Sequence, residues 1–168
     1  YIENNFPTIN KEKENILNLI NSAIEYANLV VVEKAKEIPE LKDMGTTIEI
    51  CLIYNSKAYI GHVGDSRVYR IRNNIIKKLT TDHSYVEKLI KDGKITKEEA
   101  YTHPKKNMLL KALGCNSLVE PDVFCRPFLR GDIILMCSDG LTNMLKDDEI
   151  YKILLENPEK PVANLINE

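Results

Sequence analysis

Four short apolar runs lie between residues 46 and 79, and each is separated from the next by only two or three turn-forming residues. Linkers that short join only antiparallel neighbours, because a parallel connection needs a crossover of about a dozen residues or more. Thr46 to Tyr54 is rich in β-branched residues and reads as a strand. Asn55-Ser56-Lys57 turns the chain into a second strand, Ala58 to Val63. Gly64-Asp65-Ser66 turns it again into Arg67 to Arg72, and Asn73-Asn74 suits a type I′ hairpin leading into Ile75 to Leu79, since Asn tolerates positive φ. The expectation is an antiparallel meander.

Helical periodicity flanks this β-rich block on both sides. From residue 10 to 37, Ile16, Leu19, Ile20, Ala23, Ala27, Val30 and Val31 recur at steps of three and four, with Thr8 or Asn10 placed to cap the start and Pro39 beyond the end. This helix is expected to pack one face on a sheet. After residue 84, Val86, Leu89 and Ile90 give a short helix an apolar side, closed by Asp92-Gly93. Thr96 and Glu99 form a capping-box pattern for another. Pro121 to Phe128 reads as an edge-type strand flanked by prolines. A last helix starts at Asp147-Asp148-Glu149, buries Ile150, Ile153, Leu154 and Leu155, and ends at Pro158 and Pro161. Strands and helices are segregated, which predicts an α+β fold of layered antiparallel sheets flanked by helices, in one domain spanning residues 1–168.

The run Gly131 to Thr142 carries the first hint of chemistry. Five apolar residues, Ile133 to Cys137, read as a strand buried on both faces, and the run stops at Ser138-Asp139-Gly140. A carboxylate there must be hydrogen-bonded, paired or bound to a cation, because burying it alone costs several kcal/mol or more. A plain strand-end turn satisfies the same residues. With 43% apolar and 29% charged residues and a net charge of −2, the chain has the balance of an ordinary globular protein rather than of a nucleic-acid or membrane-surface binder. Its apolar runs are far short of a membrane span, and Tyr1 to Asn5 has no basic start before an apolar segment, so no secretory signal is expected in it. Cys51, Cys115, Cys125 and Cys137 form no C-x-x-C pair, which argues against zinc and for a reduced, cytoplasmic setting.

Several local patterns occur in one order: Met44-Gly45-Thr46-Thr47, Val63-Gly64-Asp65-Ser66-Arg67, Leu79-Thr80-Thr81-Asp82-His83-Ser84, Ile95 to Ala100, His103-Pro104, Ala112-Leu113-Gly114, and Cys137-Ser138-Asp139-Gly140-Leu141-Thr142. Together they resemble the bacterial branch of the metal-dependent (type 2C) serine/threonine protein phosphatases, over roughly Asn15 to Glu156. The resemblance implies a β-sandwich of antiparallel sheets with helices outside, and hydrolysis of phosphoserine and phosphothreonine in proteins. It also implies Mn²⁺ or Mg²⁺ as cofactors. Carried over by position, Asp139 looks like a carboxylate ligand of the metal centre, and Asp82 like the ligand of a further, weaker metal site that Asp139 shares. His83 and Ser84 look like neighbours of that site. Residues 85–114 resemble a flap-like helical insertion beside the active site.

From the residues alone, Asp82 serves equally as a helix N-cap, Asp65 and Arg67 as a turn and an ion pair, His62 as a packed histidine, and Lys105, Lys106 and Lys111 as a solvated basic face. His83 and His103 are loop residues that could donate a proton, and neither matches the family's usual acid. The family's early Arg and Asp, its Asp-Gly pair and its late Asp-Asn pair are absent from this sequence. The chain therefore looks like a partial domain, weakly active or inactive alone, whose exposed sheet edges favour association between chains. The partners implied are phosphoprotein substrates, those of a cognate Ser/Thr kinase. A non-catalytic binding or scaffold module of the same fold is the alternative. On this reading Asp139→Asn removes most activity, and Asp82→Asn lowers metal-dependent turnover with a smaller effect on folding.

Overall fold

In the computed structural model, which describes residues 1–156 and 161–167, six strands form two separate antiparallel sheets. The strands are β1 (Ile48–Tyr54), β2 (Lys57–Val63), β3 (Arg67–Arg72), β4 (Ile75–Lys78), β5 (Asp122–Pro127) and β6 (Ile133–Cys137). One sheet has the order β1-β2-β5, the other β4-β3-β6. The expected hairpins form: Asn55 and Ser56 have φ of 46° and 55°, Asn73 and Asn74 of 49° and 61°. The expected single meander does not. The Gly64-Asp65-Ser66 turn carries the chain from one sheet to the other instead of pairing β2 with β3. Gly64 makes this possible with φ +119°, and a Cβ there would lie 2.2 Å from Thr47 Cγ2.

A short helix α1 (Ile2–Asn5) precedes the long helix α2 (Lys13–Glu37). Neither Thr8 nor Asn10 caps α2; the N-cap is Glu12, and the Thr8 hydroxyl donates to the Asn5 carbonyl. The buried stripe runs through Ile16, Ile20, Ile24, Asn28 and Val32, strict four-residue steps, so that Val30 is exposed instead of buried. This stripe packs on the first sheet with Tyr59, Val63 and Leu113. The approach is close: a Cβ on Gly61 would sit 2.4 Å from Ile20 Cγ2. Asn28 is buried among these apolar groups but fully used. Its amide donates to the Asn116 and Ser117 carbonyls, and its oxygen accepts from the Gly114 N–H.

The second sheet is covered by α6 (Asp147–Glu156) and α7 (Pro161–Asn167), with Ile71, Ile150, Leu154 and Leu165 at the centre. Leu155 points away and is exposed. Pro161 opens α7 where it was expected to close the preceding helix, a position at which its missing N–H costs nothing. Pro158 lies outside the described residues. Strand β6 is not buried on both faces. Among the described strands it pairs only with β3, and Ile133 and Met136 are 46% and 42% exposed. Its apolar run reads as a central strand, yet it stands at an edge here.

Candidate active site

Two turns and one helix start converge on a cavity of about 560 Å³. The β2–β3 turn contributes Asp65, the β4–α3 connection contributes Asp82, and the start of α5 (Asp139–Thr142) contributes Asp139. Residues 85–114 wall the other side through α3 (Tyr85–Lys91) and α4 (Lys97–Thr102), which present Ile90, Lys97 and Tyr101 to it. The expected stop and start signals here are both found: Gly93 takes a positive φ after α3, and Thr96 and Glu99 close the capping box of α4. Two isolated bridges, Thr46 with Leu113 and Ser84 with Leu109, tie the end of this segment to the residues just before β1 and just before α3.

Asp82 is not a helix cap. Ser84 caps α3, its hydroxyl accepting from the Glu87 N–H at 3.3 Å. Asp82 instead accepts from Arg67 Nε and Nη2 at 3.0 and 2.7 Å, and from Lys78 Nζ at 3.1 Å. The Arg67 hydrogen-bond partner is therefore Asp82, 15 residues away, and not Asp65, two residues before it. Burial alone would lower the Arg67 guanidinium, but its bonds to Asp82 outweigh burial and hold it above its ordinary value.

Among the described residues Asp65 makes no salt bridge, and the charge of Arg67 is the smallest influence on its carboxyl. Burial raises its carboxyl first, and the charges of Asp139 and then Asp82 raise it further, so three carboxylates share one field at this end of the cavity. Asp139 stands in the first turn of α5 and accepts from Asn143 Nδ2 at 3.1 Å. Asp147 also lines the cavity and accepts from the Tyr69 hydroxyl at 2.9 Å. The tyrosine is buried, which raises its hydroxyl well above the ordinary value.

The sequence placed Asp82 and Asp139 as candidates, and the fold brings both to the same cavity. Asp65 and Asp147 were missed as part of it. The signal for Asp65 was the Gly64 before it, which marks a forced turn; Asp147 gave none, since acidic residues at a helix start are ordinary. His62 is a wholly buried packed histidine, while the half-buried His103 accepts from the Lys105 N–H through Nδ1. Lys106 reaches the cavity, whereas Lys105 lies over the Tyr85 ring and Lys111 donates to the Glu120 carbonyl.

A segregated α+β architecture with an acidic cleft between sheet turns and a helical side wall is that of a known family of hydrolases. The family model for protein phosphatase 2C matches residues 4–89. The serine/threonine phosphatase stp of Listeria monocytogenes is 43% identical over 141 residues, which is 84% of this chain and 56% of that protein. The crystal structure of the serine/threonine phosphatase Stp1 of Staphylococcus aureus superposes with a TM-score of 0.86 at 33% identity, over 99% of this chain and 68% of that one. A PstP catalytic domain in complex with 2 manganese ions superposes at 0.80 with 28% identity, over 94% of this chain and 68% of its own. This chain belongs to the protein phosphatase 2C family. It spans a little over half the length of the curated Listeria relative.

Proposed function

We propose that the protein represented by this chain hydrolyses phosphoserine and phosphothreonine in proteins, with Mn²⁺ or Mg²⁺ bound at the carboxylate end of the cavity. The observation that carries the reading is the crowding of Asp65, Asp82 and Asp139 around one opening, with Asp65 pushed up by burial and by its like-charged neighbours. A divalent cation relieves such crowding, and an all-oxygen donor set suits these hard ions. Asp139 is the ligand we assign first, because among the described residues no salt bridge engages it and its one side-chain partner is the neutral Asn143. Asp82 is the second, shared with Arg67 and Lys78. Among the described residues no three His, Cys, Asp or Glu side chains cluster closely enough to hold an ion, so waters must complete the shell around these two. Bound ions would supply a Lewis acid for the phosphoryl oxygens and an acidified water. The chain's own residues orient the substrate: Lys97 and Lys106 offer positive charge on the 85–114 side, which we read as a substrate-facing flap.

The family relationship and the manganese-bound PstP neighbour support the metal reading. The substrates we infer are phosphoproteins of a cognate Ser/Thr kinase in a bacterial cytoplasm. No helix among the described residues is long and apolar enough to cross a membrane. The test is Mn²⁺-dependent hydrolysis of a phosphothreonine peptide by this chain and by a version lengthened at both ends to the span of its relatives. Turnover is expected in the longer form, and Asp139→Asn should abolish most of it. A well-folded but inert longer form overturns the reading. The salt bridges on Asp82 favour a second reading, in which this fold binds phosphoproteins without hydrolysing them. That reading requires peptide binding without turnover in the same assay.

A further inference from the structure

Three consecutive residues of β4, Ile76, Lys77 and Lys78, line the cavity. Successive side chains of a strand point to opposite faces, so a cavity touched by three in a row lies off the edge of the strand. One edge of β4 is taken by β3; among the described residues no strand lies on the other. The register shows which backbone groups that open edge presents. The Leu79 N–H donates to the Val68 carbonyl at 2.8 Å, and Arg70 stands opposite Lys77 and Arg72 opposite Ile75. Antiparallel pairs alternate between bonded and non-bonded, so Ile75, Lys77 and Leu79 bond to β3, while the N–H and C=O of Ile76 and Lys78 point outward. Among the described residues no other backbone group bonds these outward ones. The charges along the edge are sorted as well. Arg67 and Lys78 are held by Asp82. Lys77, Lys97 and Lys106 also line the cavity, and among the described residues their ammonium groups make no salt bridge. Lys97 opens α4, where the helix dipole disfavours a cation, so helix stability does not explain its charge.

We propose that the phosphorylated segment of the substrate docks in extended form on the open edge of β4, as an added strand, and that Lys77, Lys97 and Lys106 select segments with acidic residues beside the phosphorylated one. The inference rests on the phosphatase reading above and deepens it. The edge is continuous with the carboxylate end of the cavity: Asp82 follows Lys78 by four residues, and the Lys78 ammonium itself donates to Asp82 at 3.1 Å. A strand added to an edge is held by main-chain hydrogen bonds that need no particular sequence, and the pockets beside it read alternate side chains. Here the groups beside it are lysines, so the side chains they read are carboxylates. A second copy of the chain fits the edge poorly, because pairing β4 with itself sets lysine against lysine. A phosphopeptide brings the opposite charge.

The experiment uses the chain lengthened to the span of its relatives, with Mg²⁺. Amide exchange is followed by NMR before and after adding a peptide that carries a non-hydrolysable phosphonate in place of phosphothreonine, flanked by glutamates. The Ile76 and Lys78 amides should exchange freely without the peptide and slow by about tenfold or more with it, while the Lys77 amide, bonded to β3, is protected throughout. Ile76 and Lys78 amides that stay fast in the peptide complex overturn the docking. So do amides already slow without peptide, which show that a further segment of the chain or a second copy covers the edge. Selection is read with hydrolysable phosphothreonine peptides. A glutamate-flanked peptide should exceed a lysine-flanked one in kcat/KM by about tenfold, from about threefold at each exposed ion pair. Lys97→Glu combined with Lys106→Glu should invert the preference. An acid in the first turn favours α4, so lost selection is not lost folding. Equal kcat/KM for the two peptides, or an equal change for both in the double variant, overturns the selection. Turnover without protection of the edge ends this proposal and leaves the phosphatase reading standing, whereas a well-folded chain that turns over neither peptide ends both.

Discussion

Asp82→Asn keeps the size of the side chain and removes the charge on which Arg67 and Lys78 converge. Asp82 is 7% exposed at its side chain, Arg67 22% and Lys78 26%. Removing one member of a fully buried pair costs about 3 to 5 kcal/mol, whereas an exposed pair contributes about 0 to 1. With the acid buried and both cations about a quarter exposed, the loss should fall between these, at about 2 kcal/mol. That is a large share of the roughly 5 to 15 kcal/mol typical of a domain. Urea unfolding measures it. With a slope of about 2 kcal/mol/M, the midpoint should fall by about 1 M while the slope is unchanged. A double-mutant cycle with Arg67→Gln separates the pair from the site: the double variant should lose little more than either single one. A loss below about 0.5 kcal/mol, or fully additive losses, refutes the reasoning. The expectation from sequence that Asp82→Asn acts mainly on turnover is thereby replaced by one in which folding is strongly affected.

Gly61→Ala places a methyl 2.4 Å from Ile20 Cγ2 and 2.7 Å from Ile24 Cδ1, so α2 must shift; thermal unfolding should show a loss of about 1 to 3 kcal/mol. The Arg72 hydrogen bond holds the Asp132 carboxyl down at about 2, below its unfolded value of about 3.9. Its stabilisation is therefore complete above about pH 4 and lost as pH falls toward 2, and Asp132→Asn should flatten the acid limb of the stability curve in that window. Burial pushes the Cys137 thiol up to about 11, while Cys115 is exposed; thiol alkylation at neutral pH, read by mass spectrometry, should label Cys115 well before Cys137.

Most of the elements were legible in the sequence, because their determinants are local. Asn55-Ser56 and Asn73-Asn74 accept positive φ by their own chemistry, and the Thr96–Glu99 capping box closes within one turn of helix. The four-residue period of α2 was visible too, although its face drifted because Val30 and Val31 looked as apolar as Val32. Asp82 and Asp139 could be marked as candidates from their motifs alone.

Pairing across distance was not legible. No local rule says that Gly64 sends the chain to a second sheet, since a turn of that length also closes a hairpin; Thr47 and the sheet beneath it decide. Nor does any spacing reveal that Arg67 reaches past its neighbour Asp65 to Asp82. Charge partners are chosen by which side chains the two sheets bring within about 3 Å, and that distance exists only once both hairpins have docked. By itself the sequence determined the strands, the turns and the residue types offered to the cavity. The tertiary structure alone decided which carboxylate is held by cations and which is pushed up by its acidic neighbours, because burial and long-range charge are properties of the packed chain.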